Sequence, residues 1–361
     1  MNEPSLSFRQ SAWRRLKKNK GAMAGLVMIT FSILVAIFSY VIAPDPSPFA
    51  NRIILEIGGE KPGFTQNFLL IKKTQPQKAG FFSKILSGSP DQFDYIPITT
   101  YQQVGDSIIA EKFIDEGVTE RIAYHNQSLS NTPVETKKFF LGTDKYGRDI
   151  LSRLIVGTRV SLSVGLITVL ISLTIGIALG AVAGYFRGRA DNIIMWLINV
   201  IWSIPTLLLV FAITLLLGKG FWQVFIAVGL TMWVNVARLV RGQVMVTKEL
   251  QYVEAGKVLG FSNFRIITHH ILPNIFGPVM VIAASNFASA IVIEAGLSFL
   301  GVGVQPPQPS WGLMIKENYN FIITQNPMLA LAPGFAIMIL VLAFNLLGNG
   351  LRDALNVRGK I

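Results

Sequence analysis

No cysteine occurs among the 361 residues, so disulfides, thiolate catalysis and cysteine-held metals are all excluded. Histidine is scarce too: there are three, two of them adjacent at His269 and His270, which leaves little material for a metal site. Charge makes up only 14% of the chain, against about 25% in an average soluble domain, while 51% of the residues are hydrophobic. A water-soluble globular protein is thereby nearly excluded. Also missing are a GxxxxGK[ST] phosphate loop, an HExxH pair and a GxSxG turn, so the chain is neither a P-loop ATPase nor a hydrolase of those types. The few charges lean one way, 32 Lys and Arg against 20 Asp and Glu, a net +12. Such a balance suits nucleic acid or an anionic surface, and where the charge lies decides between them.

What the chain has in abundance is long apolar sequence. A helix crossing the hydrocarbon core needs roughly 20 mostly apolar residues, because every backbone group must be bonded internally. Six stretches qualify, approximately Ala22 to Ala43, Val160 to Phe186, Asn192 to Leu217, Phe221 to Val236, Ile275 to Leu300 and Leu329 to Gly348. A cleaved signal peptide is the alternative for the first, since basic residues from Arg14 to Lys20 precede it. Its length, and the lack of a small-x-small site before Pro44, favour a retained helix. With the N-terminus in the cytoplasm, the inside segments hold +11 of the net charge, including Arg358 and Lys360 in the tail; the short outside loops hold little beyond Lys219 and Lys316. The basic bias therefore reads as an orientation signal with both termini inside.

The expected fold is an all-α polytopic membrane protein of six transmembrane helices with a small α+β extracytoplasmic insert. Its parts are a cytoplasmic basic segment 1–21, a helix 22–43, the insert and pre-helix segment 44–156, a helical core 157–349 with a cytoplasmic loop 238–274, and a cytoplasmic tail 350–361. Within the insert, Arg52 to Ile57 and Tyr95 to Thr100 read as strands and Ser107 to Glu116 as a helix. In the second span Gly176, Gly180 and Gly184 recur every four residues, which suits close approach of another helix; general glycine enrichment in membrane helices is the alternative. Pro205 should kink the third span, as gates and static bends both do. Glu294 is the ionisable group well inside a span, a position that fits a substrate path or a structural hydrogen bond, and Asn286 can share either role.

The loop 238–274 carries the most pattern. Thr247 is expected to cap a helix Lys248 to Leu259, with Glu249 at its start and Gly260 as a left-handed stop; Ser262 caps a second helix that Pro273 ends. Tyr252, Ala255, Gly256 and Leu259 then share one notched apolar face. Such a face suits insertion into another protein's groove or lying on the membrane.

Glu254-Ala255-Gly256-Lys257-Val258-Leu259-Gly260, followed by His270-Ile271-Leu272-Pro273-Asn274, resembles the EAA loop of ABC importer permeases, with Gly256 where a second alanine is usual. Ala12 to Lys20, Leu141-Gly142-Thr143-Asp144 with Gly147-Arg148-Asp149 and Ser152-Arg153, Glu294 to Gly301, and Pro309-Ser310-Trp311-Gly312 are similar to the second permease of the dipeptide, oligopeptide and nickel branch. The resemblance spans roughly 250 residues and leaves out 44–139. It implies a non-enzymatic subunit forming half of a path for peptides, or for nickel or another small solute. A second homologous permease, two ATP-binding subunits, an extracytoplasmic binding protein and membrane lipid would be its partners, with no nucleic acid. No cofactor would be bound by this chain, ATP and magnesium sitting on the ATPases. Glu254, Ala255, Gly256, Gly260, Leu272 and Pro273 would form the coupling loop; Glu294, Asn286 and Pro205 the path or gate. Gly142, Thr143, Asp144, Gly147, Arg148 and Asp149 form the extracytoplasmic signature, read as a cap of the second span or as a contact with the binding protein or the second permease. A secondary transporter or channel is the rival class, but paired broken helices and several intramembrane carboxylates are lacking.

Overall fold

The computed structural model describes residues 8–73, 80–218, 220–322 and 326–355. Lys219, Arg358 and Lys360, counted above for orientation, lie outside the described residues.

The chain opens with α1 (Phe8–Lys18) and α2 (Lys20–Ile37), then α3 (Ser39–Ile42). Asn19 separates the first two because its side chain accepts from the Ala22 amide at 3.1 Å, taking over one of the orphan donors of a helix start. Next come β1 (Phe64–Lys72), α4 (Phe81–Ser87), β2 (Phe93–Val104), β3 (Ser107–Asp115), β4 (Val118–His125) and β5 (Leu129–Phe139). The rest is helical: α5 (Ile150–Phe186), α6 (Gly188–Trp202), α7 (Thr206–Leu217), α8 (Phe221–Thr247), α9 (Gln251–Val258), α10 (Asn263–Arg265), a π-helical turn Ile266–Ile271, α11 (Phe276–Phe299), α12 (Trp311–Asn318) and α13 (Met328–Leu355). Among the described residues five helices are long and apolar enough to cross a membrane, and α6 with α7, bent by 92°, makes a sixth candidate span. The all-α membrane fold with a small sheet insert is thus present.

Several boundaries differ from the sequence reading. The helix of the second span starts ten residues early, at Ile150, so α5 is about 55 Å long and outreaches the hydrocarbon core. The short fourth stretch is part of a 27-residue helix that runs on to Thr247. Pro205 does more than kink: a residue without an N–H ends up at the cap of α7, and the span breaks over Ser203 to Pro205. Ser107 to Glu116 is a strand rather than a helix, because Ile108 and Ala110 bury against Leu69 and Ile98 at period two. Arg52 to Ile57 is not a strand; its last three residues form a 3-10 turn.

The chain divides into two compact units. The first comprises Met1–Ser32, Ser161–Gln305 and Ile337–Ile361. Here the glycine row of α5 meets α8: β-carbons at Gly176 and Gly180 would sit 2.5 Å from the Val236 Cβ and the Ala237 carbonyl oxygen, and one at Gly184 2.7 Å from the Arg241 carbonyl oxygen. Only hydrogen fits between these backbones. Gly25 allows the same approach of α2 to Ala343 on α13, at 2.5 Å. Asp191 on α6 accepts from the Arg241 guanidinium on α8, with Nη2 at 2.7 Å.

The second unit is Ile33–Val160 with Pro306–Ala336. Its antiparallel sheet has the order β4-β3-β2-β1-β5, pairing Leu69 with Ile96 on one side and with Val134 on the other. Alternation along β1 sends Phe68 and Leu70 to a cluster with Ile54, Ile57 and Phe139, and Leu69 to the opposite cluster.

Candidate functional site

Three groups of residues singled out from the sequence are arranged very differently. In the loop after α8, Thr247 is the last helical residue rather than a cap, and Leu250 in extended conformation starts α9. At the other end Gly260 has φ +76°, its amide donates to the Lys257 carbonyl at 3.0 Å, and the Phe261 amide donates to the Gly256 carbonyl at 3.1 Å. These paired bonds form a Schellman stop, so glycine is needed at position 260. Ser262 caps the next turn through the Arg265 amide. Asn274 closes the loop, donating at 2.7 Å to both the Tyr252 hydroxyl and the His270 carbonyl, while the Tyr185 hydroxyl donates to Asn263 at 2.8 Å.

The expected notched face is split. Val253 and Gly256 are buried, with Val253 in a cluster containing Ile266, Ile271, Val240 and Val244. A β-carbon at Gly256 would stand 3.4 Å from the Phe261 ring, so the glycine departure from the alanine pattern lies beneath that ring. Glu254 and Ala255 are exposed. Leu272 hydrogen-bonds back to Ile267 at 2.9 Å, and Pro273 lies exposed in the turn before α11. The most exposed apolar residues of the loop are Val258, Leu259 and Phe264, at 88%, 71% and 75%. Apolar side chains held this far out on a well-bonded loop mark an interaction surface. Phe264 was legible only as a hydrophobic residue breaking an otherwise polar turn.

At the broken span, a cavity of about 180 Å3 is lined by Trp202, Thr206, Thr231, Asn235 and Ser289, among others. The Arg238 guanidinium stacks 3.6 Å over the Trp202 ring and donates to Asn199 at 3.2 Å. Pro205 stands one residue before the lining. Neither Asn286 nor Glu294 lines this cavity. Both are buried; Glu294 accepts from the Ser298 hydroxyl at 2.6 Å, and that hydroxyl accepts from the Val304 amide at 3.0 Å. Glu294 thereby fastens the chain after α11 back onto the helix end. The polar cavity residues were missed because an isolated Thr, Ser or Asn in an apolar run carries no pattern.

The signature before α5 is folded inward. The Thr143 hydroxyl donates to the Ile57 carbonyl and accepts from the Glu60 amide. Asp144 accepts from the Tyr146 and Arg148 amides and, at 2.6 Å, from the Arg148 Nε. Arg148 reaches Asn51 at 3.1 Å and Glu317 on α12 at 2.8 Å. Asp149 caps α5 through the Ser152 amide at 2.8 Å. β-Carbons at Gly142 and Gly147 would lie 2.2 and 1.7 Å from the Glu60 and Ile54 carbonyl oxygens. Arg153, fully buried, stands 3.6 Å from Glu317. Glu317 escaped notice, its partners being some 170 residues away. Trp311 donates to the Leu154 carbonyl at 3.0 Å and packs on Gly157, and Ser310 caps α12.

Polytopic helices joined by a hydrogen-bonded loop with an outward apolar surface define a membrane subunit that works through partners. Residues 176–360 match the binding-protein-dependent transport system inner membrane component family, and 7–55 the N-terminal transmembrane domain of oligopeptide transport permease C. The chain belongs to this family: it is a multi-pass inner-membrane permease subunit of an ABC importer, not itself an enzyme, and acts with a substrate-binding protein and ATPase partners. It is 34% identical over 99% of its length, and 88% of the other's, to the dipeptide transport system permease protein DppC of Bacillus subtilis (strain 168). The Bacillus subtilis oligopeptide transport system permease protein OppC is 39% identical over 65% of this chain and 77% of its own. For the glutathione transport system permease protein GsiD of Pectobacterium atrosepticum the identity is 42% over 61% of this chain and 73% of that one.

Proposed function

We propose that the chain forms half of the membrane path for di- and oligopeptides, paired with a second homologous permease and driven by two ATP-binding subunits. The observation that carries the coupling is the outward set Val258, Leu259 and Phe264 on a loop closed by the Schellman stop and Asn274. Covering Val258 and Leu259 would contribute roughly 1.5–3 kcal/mol each towards seating an ATPase subunit. The basic bias puts this loop and both termini in the cytoplasm and the sheet insert outside. On this reading 1–21 and 350–361 are cytoplasmic, 22–43 and the core 157–349 cross the membrane, and 44–156 is extracytoplasmic. ATP and magnesium are held by the ATPases, and this chain binds no cofactor.

The broken span supplies the path. Thr206, Thr231, Asn235 and Ser289 offer hydroxyl and amide groups that match a peptide backbone, while Asn286 on α11 donates to the Ser172 hydroxyl on α5 at 3.5 Å and Glu294 secures the end of α11 through Ser298. The peptide assignment leans on relatives named for dipeptide, oligopeptide and glutathione transport. Uptake of labelled di- and oligopeptides by cells lacking this chain tests it: peptide uptake should be lost. Unchanged peptide uptake with lost nickel uptake would replace the substrate, and absence of binding-protein-stimulated ATP hydrolysis in the reconstituted complex would overturn the coupling.

A further inference from the structure

β1 and β2 are antiparallel neighbours with Lys72 opposite Phe93, so a short turn could join them. Instead residues 73–92 leave the sheet, and α4 lies within that excursion beside α3. Two sets of bonds fix it there. The Arg159 guanidinium on α5 donates through Nη1 to the Ile85 and Leu86 carbonyls at 3.2 and 3.0 Å, satisfying groups that the last turn of α4 leaves open. Just past the helix, Gly88 has φ +84°, and a β-carbon there would stand 2.7 Å from the Pro46 carbonyl oxygen. That same carbonyl accepts from the Ser89 amide at 2.8 Å.

Both anchor points mark the edge of the hydrocarbon core. Arg159 is the last charged residue of α5 before an uncharged run from Val160 to Phe186, and Pro46 follows Asp45, the first charge after the apolar stretch that ends at Ala43. Charge is costly any deeper, so α4 is held at this boundary. What it presents there is apolar. Phe82 and Leu86, four positions apart and so on one helix face, are 78% and 64% exposed, while Lys84 falls on the opposite face. Seven residues, about 10 Å of helix, are too short to cross a bilayer.

We propose that α4 is an interfacial membrane anchor: Phe82 and Leu86 sit among the lipid headgroups and upper acyl chains on the side that carries the sheet, tying the β1–β2 connection to the bilayer surface. Helices of this kind bury their apolar face by roughly 5–10 Å. Exposed apolar side chains mark an interaction surface, and lipid is the occupant that continuity with the first span supplies, since Val41 and Ile42 on the neighbouring α3 are exposed too. The anchor goes beyond the peptide reading and holds whichever solute is carried.

The lack of native cysteine makes the test direct. Nitroxide labels are placed one at a time through Phe82→Cys, Leu86→Cys and Lys84→Cys in the full chain, assembled with cysteine-free partner subunits in vesicles of phosphatidylcholine and phosphatidylglycerol. Collision rates are read with oxygen, which concentrates among acyl chains, and with a nickel chelate confined to water. At positions 82 and 86 oxygen should exceed nickel severalfold, and at 84 the order should reverse. Nickel dominating at 82 and 86 would place the face in water and overturn the anchor. Labels shielded from both reagents would overturn it in favour of a protein partner, such as a second permease. Should Phe82→Cys fail to assemble, Leu86→Cys reads the same face independently.

Discussion

The two loops by which the sequence is recognisable are built in opposite senses. Residues 142–149 turn charge inward: Asp144, Arg148 and Asp149 are buried, Arg148 pairing with Asp144 and Glu317 and Asp149 accepting from Ser152. Residues 251–264 turn apolar side chains outward, with Val258, Leu259 and Phe264 in solvent. A buried ion-pair network adds little net stability against an apolar core but fixes one geometry, because any member left alone is costly. Exposed valine and leucine do the reverse: they contribute nothing to the isolated subunit and gain only when a partner covers them. On the proposed coupling the first loop serves the fold and the second the assembly, and substitutions should sort accordingly.

The largest effect is expected at Gly147. Even alanine would place its β-carbon 1.7 Å from the Ile54 carbonyl oxygen, at φ +70°, and backbone cannot step aside as a side chain can. Gly147→Ala should cost about 4 kcal/mol or more, seen as loss of monodisperse protein or a collapse of the thermal midpoint. A normal midpoint would mean that the inward loop is not fixed as described. Glu317→Ala comes next. It strips Arg148 and Arg153 of a carboxylate in a buried setting and should cost about 3–5 kcal/mol, with Glu317→Gln retaining an acceptor and losing less. Equal midpoints for the two would show that the network has no part in holding α12.

Much of this was legible in the sequence, and the failures have common causes. The spans followed from run length, and the α5 glycine row lies against α8 because small residues every four positions share a face. Gly260 and Ser262 stand at their helix ends, since capping chemistry is local. Ser107 to Asp115 was misread because Ile108 and Ala110 owe their burial to partners on β1 and β2, which one segment does not disclose. The Tyr252 to Leu259 face split for the same reason: helical spacing groups residues, but packing of Val253 on Val240, Val244, Ile266 and Ile271 decides which side is buried. Glu317 pairs with Arg148 across 169 positions, beyond the reach of any local pattern.

Intermediate between the two loops is Gly260, a backbone requirement inside the assembly loop. Gly260→Val has open space for its side chain but must hold a left-handed φ, costing roughly 1–2 kcal/mol. The subunit should still insert, with ATP-driven transport reduced because the stop that orients Leu259 is loosened. Undiminished transport would detach the Schellman stop from coupling.

The smallest effect on the subunit is expected from Val258→Asp combined with Leu259→Asp. Both positions are exposed, so the thermal midpoint of the isolated chain should move by the equivalent of less than about 0.5 kcal/mol per site. Its retention of ATPase subunits should nevertheless fall by at least tenfold, because two carboxylates would be carried into an apolar groove and desolvated there. Measuring midpoint and ATPase retention on the same preparation sets this variant against Glu317→Ala, which should lower the first. A double aspartate that keeps its ATPases would leave the outward residues without a partner, and one that unfolds would make both loops parts of the fold.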